Sequence, residues 1–210
     1  MSDFLAQYGS ELIVKTWEQI YISAMALLMG IIVAVPIGVV LTRFPKLAKL
    51  FIGLASILQT IPSLALLAMM IPLFGVGRTP AIIALFIYSL LPIMRNTYIG
   101  MNNVDPILKD SAKGMGMTPT QSIFQVELPL AVPVIMTGIR LSAIYVIAWA
   151  TLASYIGAGG LGDLIFSGLS LFQPSLIIGG TIPVILLSLI VDYLLERLES
   201  YLTPRQKRNV

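Results

Sequence analysis

Cysteine and histidine are both absent from the 210 residues. Without cysteine there are no disulfides, no thiol nucleophiles and no thiolate ligands; without histidine there is no imidazole base. Together the two absences remove the usual zinc ligands, so metal-dependent and cysteine-based chemistries are poor fits. Charge is scarce as well. Only 11% of residues are charged and 57% are hydrophobic, and mean hydropathy is +0.93. A soluble domain carries roughly a quarter charged residues, so the chain reads as a multi-pass, all-α integral membrane protein. The first residues, MSDFLAQYGSELIVKTWEQIY, mix acids and bases ahead of the apolar run, and no cleavable signal peptide is expected from them.

What is present is long apolar runs. A helix needs roughly 20 apolar residues to cross a bilayer, and five stretches meet that length: Ile20–Thr42, Leu50–Phe74, Pro80–Tyr98, Leu128–Ala153 and Leu176 to about Leu195. They must be helical, because a backbone amide in lipid has to be satisfied within its own segment. Residues 1–19, with Phe4, Leu5, Tyr8, Leu12 and Ile13 at helical spacing, read either as an interfacial or extracellular amphipathic segment or as an extension of the first span. Residues 20–200 form the membrane domain, and residues 201–210 a basic tail.

Orientation follows from lysine and arginine. Arg43, Lys46 and Lys49, then Lys109 and Lys113, then Arg205, Lys207 and Arg208 fall on one face if five helices alternate; Lys15 and Arg78 fall on the other. The expectation is an N-terminus outside and a C-terminus in the cytoplasm. Prolines 36, 62, 72, 92 and 183 punctuate the spans, which points to a bundle that bends. No internal repeat is evident, which counts against an inverted-repeat secondary transporter. Within the spans, Arg95 lies close enough to the cytoplasmic end to snorkel. Arg140 lies deeper, where ionisable groups face the bundle interior and have partners; Asp192 or Glu196 on the fifth span is the expected one.

Between the third and fourth spans runs DSAKGMGMTPTQSIFQVELPLAVP, residues 110–133. Asp110, Ser111 and Ala112 are followed after three residues by Gly116, and nine residues later come Val126, Glu127, Leu128 and Pro129. A helix ending near Gly114 or Gly116 can turn there, because glycine accepts positive φ. Beyond Met117, Thr118 is placed to cap a second helix, with Pro119 at its first position and Gln121 as capping-box partner. The spacing resembles the EAA loop of ABC-importer permeases: Glu-Ala-Ala, three residues, Gly, nine residues, Ile-x-Leu-Pro. Asp110, Ser111 and Val126 depart from it, while Ala112, Gly116, Leu128 and Pro129 match.

The resemblance continues through IVAVPIGVVLTR, QTIPSLALLAMMIPLFGVG, PAIIALFIYSLLPIMRNTYIGM and YIGAGGLGDLIFSGL. These are similar to osmoprotectant-import permeases, the glycine betaine, carnitine and choline transporters of the OpuC, OpuB and ProW type. Methionine-import permeases share the five-span size and the glycine-rich stretch. The resemblance implies a type I ABC-importer (MetI-like) fold in a bacterial cytoplasmic membrane, with residues 110–129 as the coupling loop and residues 114–122 contacting the ATPase. It implies two ATP-binding cassette subunits, a second permease subunit (identical or paralogous) and an extracellular substrate-binding lipoprotein as partners, and no nucleic acid. The chain has no GxxxxGK[ST] phosphate loop. ATP and magnesium would therefore belong to the partner, and the subunit would hold no cofactor or metal and catalyse nothing itself.

Two further regions are candidates under this resemblance. Gly157, Gly159, Gly160 and Gly162 read as a re-entrant turn near the outer gate, rather than a flexible loop. Aromatic faces hold quaternary ammonium groups, so Tyr88, Tyr145, Trp149 and Tyr155, with Arg140, are candidates to line the path. The competing classes are a self-contained secondary transporter and a membrane-embedded enzyme; the spans contain few carboxylates for a coupling ion and no paired-carboxylate motif.

Overall fold

The computed structural model describes the backbone of residues 2–203 and the side chains of residues 7–203. The side chains of Phe4 and Leu5 and the basic residues of the tail lie outside the described residues. Among those described there is no strand. Helix α1 (Ser2–Leu41) runs unbroken through the N-terminal segment and the first expected span. After it come α2 (Pro45–Thr60), α3 (Ser63–Phe74), α4 (Arg78–Asn102) and α5 (Pro106–Gly114). The chain continues through α6 (Pro119–Ser122), a π-helical turn (Ile123–Glu127) and α7 (Leu128–Ala150). A 3-10 turn (Leu152–Ile156) leads to α8 (Gly162–Ser170) and α9 (Pro174–Leu202).

Four continuous helical stretches are long and apolar enough to span a bilayer: Gln7–Leu41, Arg78–Asn102, Pro119–Ala150 and Pro174–Leu202. The second expected span is not the single run Leu50–Phe74. It starts at Pro45 and is broken into α2 and α3, which meet at 98°. The cause is local. Ile61 precedes Pro62 and is pushed into the extended region (φ −65°, ψ 129°), since the proline ring disfavours helical geometry one residue earlier. The break frees the Ile61 carbonyl, and the Tyr88 hydroxyl of α4 donates to it. Prolines 36, 72, 92 and 183 sit inside continuous helices instead.

A second difference concerns the fourth span. Its helix does not begin at Leu128 but runs on from α6 as one stretch, Pro119–Ala150, so residues 119–127 and the span form one continuous helical piece.

Helix α4 is the centre of the bundle. Gly38 of α1 faces Thr97, and Gly138 of α7 faces the Pro92 carbonyl and Asn96, so both neighbours approach its backbone where no side chain intervenes. One apolar cluster joins Ile22, Leu67, Leu85, Val146 and Ala150 near the start of α4. Another joins Ala34, Leu41, Ile93, Met101 and Ile135 towards its end. The last helix, α9, packs on α7 and α8 and turns Ile185, Leu189 and Ile190 outward, as a lipid-facing helix does.

Replacing Tyr88 with Phe removes the only change-of-direction donor found for the Ile61 carbonyl among the described residues. A fully buried acceptor left unmet costs about 1–3 kcal/mol and this part-buried one less, so the variant should show a lower Tm in detergent by thermal-shift measurement, with insertion unchanged.

Candidate functional site

The basic residues of the short connections fall at two opposite ends of the bundle. One end gathers the close of α1, the close of α4 and the α5–α6 elbow. Asp105 caps α5, its carboxylate accepting from the Ile107 N–H at 2.9 Å. The helix closes with the Met117 N–H donating to the Ala112 carbonyl and the Gly116 N–H to Lys113. Gly116 sits at φ +80°, where a side chain would be strained. Thr118 then caps α6: its hydroxyl accepts from the Gln121 N–H, and the Gln121 side chain accepts from the Thr118 N–H at 2.8 Å. Pro119 occupies the first helical position.

The result is a rigid, protruding elbow. Asp110, Gly114, Gly116, Thr118 and Pro119 are exposed and Met117 half-buried, whereas Ala112 is buried and Leu128 and Pro129 are half-buried. Ile107, Leu108, Met115 and Phe124 expose large apolar surfaces around it. Asp110, in place of the motif's glutamate, pairs with Lys113 at 3.0 Å in the open.

Beneath the elbow lies a carboxylate that nothing in the motif's spacing points to, since it occupies the pattern's free position. Glu127 is 2% exposed. Its Oε1 accepts from Arg43 Nη2 at 2.6 Å and from the Ser122 hydroxyl at 3.1 Å. Lys109 Nζ stands 3.9 Å from its other oxygen and donates to the Met101 carbonyl at 2.9 Å. The π turn makes this possible. Its i→i+5 bond, Leu128 N–H to the Ile123 carbonyl, brings residues five apart onto one face, whereas 3.6 residues per turn would set them about 140° apart.

At the opposite end the glycine-rich stretch is clasped rather than loose. Gly157, Gly159 and Gly160 all take positive φ, and Gly162 opens α8 with its Cα against the Thr151 carbonyl. The Gly160 N–H donates to Glu18 at 3.0 Å and the Leu161 N–H to Gln19 at 3.2 Å. Gln19, fully buried, donates in turn to the Ile147 carbonyl at 2.9 Å. Arg78 and Lys15 pair with Glu18, and Lys15 also with Asp163. Leu161 is buried at the level of Gly180, well inside α9, so the turn dips into the bundle before α8 climbs back along α9.

Of the path candidates, Tyr88, Tyr145 and Trp149 meet, while Tyr155 and Arg140 stand apart. Trp149 lies 4.4 Å from Tyr88 and 5.3 Å from Tyr145 between ring centroids, and Tyr88 is buried with its hydroxyl committed to Ile61. Tyr155 is separate: it lies 4.2 Å from Phe166, beside an open groove of about 680 Å3 that also meets Lys15 and Asp163. Arg140 is elsewhere again. It holds Asp192 through two bonds, at 2.8 and 3.0 Å, and reaches Glu196 at 3.3 Å and Glu199 at 3.5 Å, which ties α7 to α9. Arg95 is exposed.

Residues 20–208 match the family model described as binding-protein-dependent transport system inner membrane component. The chain belongs to this family. Among its relatives, the carnitine transport permease protein OpuCB of Listeria monocytogenes is 60% identical over 98% of this chain and 94% of its own length. The choline transport system permease protein OpuBB of Bacillus subtilis is 59% identical over 96% and 93%. The osmoprotectant import permease protein OsmW of Salmonella typhimurium is 42% identical over 90% and 91%. Among solved structures, an inward-facing MetNI methionine ABC transporter chain matches with TM-score 0.83, covering 92% of this chain and 97% of that one at 23% identity; at that identity the likeness establishes the fold. The chain is thus an inner-membrane transport permease with a MetI-like fold, and its relatives are named as permeases rather than as enzymes.

The contacts of Arg140 with Asp192, Glu196 and Glu199 join α7 to α9. Arg140→Met leaves the part-exposed Asp192 without its cation, and breaking such a pair costs less than the ~3–5 kcal/mol of a fully buried one. The expected outcome is reduced yield of monodisperse protein by size-exclusion chromatography, with Arg140→Lys intermediate because it loses the two-pronged contact.

Proposed function

We propose that this chain is the permease subunit of an ATP-driven importer for quaternary-ammonium compatible solutes, such as glycine betaine, carnitine or choline. The observation that carries the reading is the near-full-length identity of 58–60% to three permeases named for those solutes. On this reading the end with Arg43 and Lys109 faces the cytoplasm, with the C-terminus beside it, and the glycine turn faces outside. The exposed elbow, with Met115 and Phe124 at its rim, is the dock for an ATP-binding cassette subunit. That partner binds ATP and magnesium; this subunit supplies the path. A second permease subunit completes the path, and an external binding lipoprotein delivers the solute to the end bearing the clasped turn.

The elbow suits docking for a physical reason. Capping box, proline and positive-φ glycine make it stiff without any partner, so little ordering entropy remains to be lost on binding. A stiff element continuous with α7 also passes on a push without absorbing it. Methionine import is the competing reading, from the five-span size and the glycine-rich stretch shared with methionine-import permeases, and substrate competition separates the two.

In proteoliposomes holding the complete transporter, uptake of labelled glycine betaine, carnitine or choline should require ATP, and unlabelled methionine should not compete. ATP-independent uptake by this chain alone would reject the reading. Gly116→Val forces a branched side chain to positive φ at the elbow; it should cut ATP-driven uptake at least tenfold, while membrane insertion, checked by protease protection, stays intact.

A further inference from the structure

We infer that Glu127 is a positioning residue that makes α1 a connecting rod between the elbow and the glycine turn at the opposite end of the bundle. The inference rests on the elbow being the ATPase dock. Helix α1 is unbroken from Ser2 to Leu41, and its C-terminal half is gripped at two levels by groups from other segments. Just past the helix, Arg43 donates to the Glu127 carboxylate. Near the middle of the helix, Glu18 and Gln19 accept the Gly160 and Leu161 N–H groups. The rise between these grips is about 36 Å at 1.5 Å per residue.

The Glu127 grip is built to move as one body. The same carboxylate takes Ser122 from α6 and has Lys109 of α5 beside it, and Lys109 reaches the last turns of α4 through the Met101 carbonyl. Both arms of the elbow are therefore tied to the ends of α1 and α4. A charge buried to this degree in a membrane protein is costly unless paired, and an apolar residue would pack the same place without it. Its position, under the exposed elbow and on a π turn, links the dock to α1 by a directional bond rather than by grease.

The distant grip is equally specific. A Cβ at Gly159 would collide with the Glu18 carboxylate, and one at Gly160 would lie 2.5 Å from Gln19 Oε1. Backbone and α1 side chains are in direct register there. Helix α1 cannot shift along its axis without dragging the turn or breaking these bonds, so displacement of the elbow reaches the other end of the bundle through one continuous helix.

The test uses the complete transporter in nanodiscs. Glu127→Gln keeps shape and removes the charge; Arg43→Gln removes the partner at a half-exposed position and leaves Glu127 with Ser122 and Lys109; Arg43→Lys keeps the charge. The chain has no native cysteine, so spin labels at Thr79→Cys and Ser167→Cys, both exposed, report the position of α8 relative to α4 without background. With native Glu127 and Arg43, trapping the ATPase should shift that distance. In Glu127→Gln or Arg43→Gln the ATPase should still copurify and hydrolyse ATP, the shift should vanish, and solute carried per ATP should fall at least fivefold, with Arg43→Lys recovering most of it. Unchanged shift and ratio in Arg43→Gln overturn the inference, as does loss of both in Arg43→Lys; Arg43→Gln decides should Glu127→Gln fail to assemble. The docking reading fails separately, if a cysteine at exposed Met115 forms no cross-link to the ATPase in the parent complex.

Discussion

Lipid offers no hydrogen bonds, so every backbone donor and acceptor within the bilayer must find its partner inside the protein. That constraint makes the chain helical and decides what its irregular places look like. Where α2 gives way to α3 at Pro62, a tyrosine hydroxyl replaces the missing helical donor. Where the glycine turn dips between helices, its amides are taken by Glu18 and Gln19. Where α6 runs into α7, a π bond replaces the α bond. Each departure from a regular helix coincides with a contact between segments distant in sequence, so the breaks serve as the joints of the structure.

Charge follows the same economy. Few charged residues are present, and the ones buried or half-buried are grouped. Glu127 has Arg43 and Lys109. Glu18 has Lys15 and Arg78. Arg140 has Asp192, Glu196 and Glu199. The groups lie near the two ends of the bundle and along the α7–α9 seam, while the bundle centre around α4 is held by small residues and apolar packing. Directional bonds thus sit where segments meet and non-directional packing fills between. A permease that must change shape is well served by this division, because helices can tilt against apolar neighbours while the joints keep register.

The membrane class, the helical content and the family were legible in the residues themselves. Composition alone separates a lipid-solvated chain from a water-solvated one, since every span must be apolar along its length. The elbow's conformation was equally local: Gly116, Thr118, Pro119 and Gln121 interact within a few residues of one another, so their order along the chain specifies their geometry. The likeness of the loop and spans to osmoprotectant permeases is likewise a property of linear order.

What only the tertiary structure decided is which segments hold one another. Pro62 and Pro92 look alike in sequence, yet one breaks a span and the other lies in a continuous helix; the break at Pro62 has a tyrosine from another helix to satisfy it. Glu127 reads as one polar residue in a motif's free position until folding places Arg43, from far earlier in the chain, against it. The aromatics singled out as a possible path separate into a group of three, Tyr88, Tyr145 and Trp149, and the exposed Tyr155, because that division depends on which helix faces meet. Local spacing encodes bonds that close within a turn or two. Ion pairs and clasps between distant segments depend on the arrangement of the whole bundle, which no short stretch of sequence carries.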